Sequence, residues 1–352
     1  MKSNKLARAA LAALLVLSLA LAGCGYNPET VMIIDGEAVP AGRWLYLQMS
    51  AMSEAITELD DVTVTGTDVL EHEINGTPAR EWVRDKAIAS CKRYVFIEKE
   101  FERLGLAFEE SELDYMKYNT QYTWDYYGIK DVYERNGISY DSFLAVYLNR
   151  MKETKVLEKL FSEGGEMAIS PEDKQAYFDE NFAQYEYFKL PENDTVGFNM
   201  LENYPDEVRA LAERMLEKAK SDGLTAAYLE FYGEAAALAQ DTETVVNEES
   251  ADTAISSATI AEALGQSEPL VSAVLATPLG GYGTVEADNT VYIFRRVALL
   301  SDSTAESYDE TIVSTLAEQP FEDYITEKTA ALEVVADDKA LDYYSADKVV
   351  LA

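Results

Sequence analysis

The chain has 352 residues, and its 29 Lys and Arg face 64 Asp and Glu, for a formal charge of −35. Nucleic acid is excluded as a partner, because phosphate binding needs a basic footprint, and so is an electrostatic grip on anionic lipid. One His leaves no means of building a multi-histidine zinc site, and two Cys leave no disulfide framework.

In chain order, the first segment is an address. Lys2, Lys5 and Arg8 precede a run of Ala, Leu and Val from Ala9 to Ala20 broken only by Ser18, about a dozen residues and short for a membrane span. Leu21-Ala22-Gly23-Cys24 closes it. A basic start, a short apolar run and small residues before a cut make a secretory signal over 1–23. Leu-Ala-Gly-Cys resembles the bacterial lipobox, and that resemblance implies cleavage before Cys24 and a diacylglycerol on its thiol. Residues 24–30 then form a lipidated tether. Removing Lys2, Lys5 and Arg8 leaves a mature charge of −38, three below that of the full chain. Acyl chains contribute about 0.8 kcal/mol per buried CH₂, and more than one is needed for stable anchoring.

The body is mostly helical in its first half. Val31 to Ile34 reads as a strand, Asp35-Gly36 as a turn and Ala41 to Met52 as a helix. Asp60 to Gly76 is polar and reads as a loop. Over Ala79 to Leu104, Val83, Ala87, Cys91, Tyr94, Ile97, Phe101 and Leu104 recur at three and four, the stripe of an amphipathic helix that Gly105 ends. Ser111 to Tyr127 and Ser139 to Leu160 are two more helices. Ser170-Pro171-Glu172-Asp173 starts another, running toward Phe182, with Ser at the cap and Pro at the first helical position.

Near Tyr185 the pattern changes. Val196 to Leu201 reads as a strand, Asp206 to Ala219 and Leu224 to Ala239 as helices, and Asp241 to Ser257 as an acidic loop. Leu270 to Leu275 reads as a short helix, Gly280 to Gly283 as a turn and Thr290 to Val297 as a strand. Helix returns after Ser301, with Pro320 expected to interrupt it. The fold class is therefore mainly α with a small inserted α+β unit. The expected divisions are 31–185, 186–300 and 301–352, the last returning to the first.

This order resembles the extracytoplasmic foldases of the PrsA and SurA type. Val31 to Glu37 is similar to the opening strand and turn of their chaperone region. Ile97 to Glu112 resembles its helix, Leu-Gly-Leu turn and acidic restart. Ile138 to Phe143, and Ile169 to Glu172 with Tyr177-Phe178, resemble later steps of the same region. Pro269 to Val297 looks like the closing half of a parvulin-type prolyl isomerase domain. The resemblance implies a discontinuous helical chaperone domain with a parvulin-like domain inserted.

Departures from that pattern bear on chemistry. Parvulins place His in the first and closing strands; here Phe198 and Asn199 stand in the expected first strand and Tyr292 in the closing one. The Gly-Gly-x-Leu-Gly stretch has no counterpart in Glu248 to Thr259. Phe198, Asn199, Leu270, Tyr292 and Phe294 are the pocket candidates. Prolyl isomerisation needs no covalent step, only help over a barrier of about 18–20 kcal/mol, so lost histidines do not by themselves abolish it. His72, between Glu71 and Glu73, reads as a solvated loop residue, and Cys91, on an apolar stripe, as core.

The 23 Tyr and 12 Phe are a large aromatic supply. Tyr115, Tyr118, Tyr122, Trp124 and Tyr126 lie on one helix and are the candidates for gripping unfolded polypeptide, since Tyr offers an apolar ring and a wet hydroxyl. The expectation is a lipid-anchored chaperone on the outer face of the bacterial cell membrane, holding unfolded secreted chains without metal or cofactor. Its membrane contact is through Cys24, and a homodimer is a further expectation. An active isomerase with a non-standard pocket is the alternative reading, and a solute-binding lipoprotein the third.

Overall fold

The structure, a computed structural model, describes residues 26–59 and 63–351. The signal segment and Cys24 lie outside the described residues. Two compact units divide the chain: 1–160 with 319–352, and 161–318. Mainly helical architecture with a small inserted α+β unit, closed by a returning C-terminal segment, is what the sequence pattern anticipates.

The first unit starts with β1 (Thr30–Ile34) and β2 (Glu37–Pro40), antiparallel across Asp35-Gly36. Both turn residues have positive φ, 47° and 88°, as a tight hairpin of this twist requires. The other edge of β1 pairs with β9 (Val334–Ala336), Ile34 opposite Val334. A strand from the far end of the chain thus completes the sheet, in the order β2-β1-β9. Next come α1 (Ala41–Glu58), a 3₁₀ turn (Gly66–Glu71), a short hairpin of β3 (Glu73–Ile74) and β4 (Thr77–Pro78), and α2 (Ala79–Arg103). Asn75-Gly76, both at positive φ, makes that hairpin inside the segment expected as loop. Helices α3 (Glu110–Tyr126), α4 (Ile129–Arg135) and α5 (Tyr140–Phe161) follow. The α2 stripe from Val83 to Phe101 is buried throughout, and Ala340, Leu341 and Val349 of the C-terminal segment join the same core as Met32, Trp44 and Val83. Tyr26 to Pro28, expected in the tether, are tied down: the single proton of the Tyr344 hydroxyl is shared between Asn27 Oδ1 and the Pro28 carbonyl, each 2.9 Å away.

The second unit begins with α6 (Pro171–Asn181), whose Ser170 Oγ accepts from the Asp173 N–H at 3.0 Å as the sequence signature implies. Its sheet is antiparallel, in the order β6-β5-β8-β7. The strands are β5 (Ala183–Lys189), β6 (Ser256–Ile260), β7 (Tyr282–Ala287) and β8 (Thr290–Val297). Helices α7 (Met200–Asn203), α8 (Pro205–Asp222), α9 (Leu224–Leu238), α10 (Glu248–Ala254) and α11 (Glu268–Ala276) are threaded between them. Phe188, Val291 and Ile293 pack beneath α8 and α9, and the opposite face receives Leu270, Val271 and Val274 of α11.

Several local expectations are corrected. Val196 to Leu201 is no strand; β5 is the first strand of this sheet, and its Tyr-x-Tyr alternation is the period-two signal. Within the expected loop 241–257 an Asn247–Ser250 capping box starts α10. Pro320 does not break α12 (Asp309–Ala330), which runs through it. Buried Ile312, Val313 and Ala317 anchor the helix before Pro320, and Phe321 and Ile325 after it. That burial outweighs the roughly 3 kcal/mol interior-proline penalty. The expected divisions at 185/186 and 300/301 lie inside the second unit, because Phe178 and Phe182 cluster with Ile312 and Tyr308 there. Among the described residues no helix is long and apolar enough to cross a membrane.

Candidate functional site

Alternation along β5 and β8 builds an aromatic face on the second unit's sheet. Tyr187 stands opposite Phe294, and Lys189 opposite Tyr292, so Tyr185, Tyr187, Tyr292 and Phe294 project to one side. The Tyr185 and Tyr187 rings stack at 4.6 Å, and Tyr187 lies 5.5 Å from Tyr292. Gly283 on β7 faces Phe294; a Cβ there would come within 2.4 Å of its ring, so the glycine is what lets the ring lie flat on the strand. The β7–β8 turn is Asp288-Asn289, both at positive φ, and Asp288 Oδ2 accepts from the Tyr292 hydroxyl at 2.8 Å.

Three pocket candidates meet on this face: Leu270, Tyr292 and Phe294, joined by Tyr185 and Tyr187. Leu270, Tyr292 and Phe294 are buried, and α11 packs over them. Burial above all, with the Asp288 hydrogen bond for Tyr292 and neighbouring phenols for Tyr185, raises both hydroxyls well above the ordinary phenol range. At neutral pH they are uncharged dipoles. The face offers apolar walls and hydroxyl groups, and no imidazole or thiol.

Phe198 and Asn199 stand apart from it. Asp194 Oδ1 accepts the backbone N–H groups of Val196 and Phe198, a rigid loop that leaves Phe198 exposed. Asn199 caps α7 through the Glu202 N–H and donates to the Asn289 carbonyl at 2.9 Å. Both are positioned by backbone bonding and do not reach the aromatic face.

The tyrosine cluster of the first unit is divided by its helix. Met116, Thr120 and Trp124, four apart, are the buried face of α3. Trp124 packs on Tyr133, Tyr140 and Phe143 and is core, not surface. Tyr115, Tyr118, Tyr122 and Tyr126 point the other way and are 68%, 69%, 47% and 74% exposed. Their spacing keeps them within one stripe of the helix, and Tyr122 stacks on Tyr126 at 4.7 Å. Glu110, Glu112, Asp114 and Asp125 share the helix with a single cation, Lys117.

His72 is exposed, and no group of acids, Cys or His among the described residues is arranged to hold a metal. Cys91 is fully buried, and burial pushes its thiol up to about 12.

No protein-family model matches the chain. No curated protein matches it. Among solved structures, it is similar to the foldase protein PrsA of Streptococcus pneumoniae, at 18% identity over 75% of this chain and 91% of that one, with a TM-score of 0.35. PrsA of Lactococcus lactis matches at 9% identity over 92% and 100%, with a TM-score of 0.39. PrsA of Bacillus subtilis matches at 13% identity over 74% and 84%, with a TM-score of 0.28.

Proposed function

We propose that this chain is an extracytoplasmic holding chaperone, lipid-anchored through Cys24, whose exposed tyrosine stripe on α3 binds unfolded secreted polypeptides. The observation that carries this is the division of α3: one face is sealed by Trp124, and the opposite face presents four tyrosines to solvent. Exposed aromatic surface of that extent marks an interaction site. Tyr binds apolar and backbone groups without complete desolvation, which suits reversible holding of varied sequences. The flanking acids and the overall negative charge favour basic clients and keep the loaded protein soluble.

In this reading the inserted unit lacks strong isomerase activity. Its aromatic face is filled by Leu270, Val271 and Val274, and its polar groups are buried phenols. The test is suppression of client aggregation, followed by light scattering. A chain with Tyr115, Tyr118, Tyr122 and Tyr126 all changed to Ser should bind a reduced client at least ~10-fold more weakly, since truncating interface tyrosines costs on the order of 1 kcal/mol each. Unchanged far-ultraviolet dichroism confirms the fold. Equal suppression by wild type and variant refutes the assignment. Cleaved, acylated Cys24 should appear in the mass of the mature protein, and Cys24→Ser should release it from membranes.

A further inference from the structure

A cleft of about 560 Å³ opens in the first unit, lined among others by Arg43, Tyr94, Val95, Phe101 and Leu106. Three cations border it. Lys99 donates to the carbonyl of Asp35 and pairs with its carboxylate, and Lys152 pairs with Glu98. Both oxygens of Glu98 are engaged, the second accepting from Asn149 at 2.9 Å. Arg43 has no carboxylate within ion-pair distance among the described residues. Its guanidinium lies 3.8 Å from the centre of the Tyr94 ring, and its Nε is buried without an acceptor. In a chain with 64 acids this is not for want of carboxylates.

A guanidinium held against a ring keeps its plane fixed and its fork open, the geometry that takes a carboxylate through two parallel hydrogen bonds. Glu37 and Glu102 also border the cleft, and among the described residues neither has a cation within ion-pair distance. They repel a polyanion, so a ligand with a single negative group on an apolar body fits best. The volume lies within the range of small-ligand sites. We propose that this cleft binds the free C-terminal carboxylate of an apolar peptide segment, with Arg43 receiving the carboxylate and Val95, Phe101 and Leu106 the side chains beside it. The source of the ligand, though not its chemistry, rests on the client-holding reading above.

The test is fluorescence anisotropy of the full mature chain with three N-terminally dansylated apolar tetrapeptides: the free acid, the C-terminal amide, and the amide carrying one internal aspartate. The free acid should bind about 10-fold or more tightly than the amide, the effect of one charge-assisted bidentate pair. Arg43→Gln should erase the difference, and Arg43→Lys, which keeps the charge without the fork, should restore only part of it. Equal binding of acid and amide by the wild type overturns the proposal, and that comparison stands even if Arg43→Gln does not fold. A difference that survives in a folded Arg43→Gln overturns the role of Arg43. An aspartate amide that binds as well as the free acid overturns the C-terminal assignment. Light scattering of a client held by Arg43→Gln separates the two readings, because holding depends on the α3 stripe and the acid–amide difference on the cleft.

Discussion

Arg93 joins three segments of the first unit. From α2 its Nε and Nη2 donate to Glu153 of α5 at 3.0 and 2.7 Å, and Nη1 and Nη2 donate to Glu322 of α12 at 2.6 Å each. The hydrogen bonds with Glu322 and then Glu153 raise the Arg93 pKa against the opposing effect of burial, and Arg93 holds the Glu322 carboxyl below its usual range. The three side chains are 31%, 26% and 47% exposed, so solvent screens the pairs and the value of each lies toward the surface limit. At about 0.5–1 kcal/mol per bidentate pair, Arg93→Met should cost the unit about 1–2 kcal/mol at pH 7. With a urea slope of roughly 2–3 kcal/mol per M, the midpoint falls by about 0.3–1 M. Trp44, Trp82 and Trp124 are the only tryptophans and all lie in this unit, so indole fluorescence reports on it selectively. A carboxylate whose folded pKa is depressed contributes stability that is full above its unfolded value, about 4.3 for Glu, and is lost as pH falls through the folded one. The difference between wild type and variant should therefore hold from pH 7 to 5 and shrink below about pH 4. Coincident midpoints at pH 7, or a difference of constant size down to pH 3, would refute the ion-pair account.

Asn136, itself buried, acts as a strand edge for the C-terminal tail: its amide donates to the Val350 carbonyl and accepts the Val350 N–H, both at 2.8 Å. Asn136→Ala should cost about 1–3 kcal/mol in the same fluorescence titration, and deleting residues 349–352 in that background should add less than it does in the wild type. Gly283→Ala should destabilise the second unit by about 1–3 kcal/mol through the clash with Phe294, and calorimetry showing no loss would mean the ring yields freely. In a chain lacking Cys24, Cys91 should resist thiol reagents at pH 8 and react once urea unfolds the unit; rapid native labelling would show that its burial is not maintained.

Periodicity revealed α2, because Val83, Ala87, Cys91, Tyr94, Ile97 and Phe101 are all buried and share one face. The same reasoning placed the tyrosines of α3 on a helix without saying which face is inner. Thr120 is as buried as Trp124, while Tyr115 and Tyr118 are exposed, an inversion that hydropathy does not contain. Tyr185 and Tyr187 carry the alternation of a strand, yet the sequence reading assigns that role to Val196 to Leu201. The backbone demands of Asp194 and Asn199 settled that segment as a loop and a cap. Arg43 carries no signal in sequence at all, since only the positions of the surrounding acids leave it beside the Tyr94 ring without a carboxylate partner.

Local chemistry decided what neighbouring residues decide: the capped opening of α6, the turn at Asp35-Gly36 and the helical stripe of α2. Each depends on groups a few positions apart, so composition and spacing carry it. Tertiary structure alone decided that β9 closes the sheet begun by β1, that α12 passes through Pro320, that α11 covers the aromatic face and that Arg93 meets two carboxylates from distant helices. Those outcomes depend on which distant surfaces exclude water together, a global optimum that no window of sequence encodes.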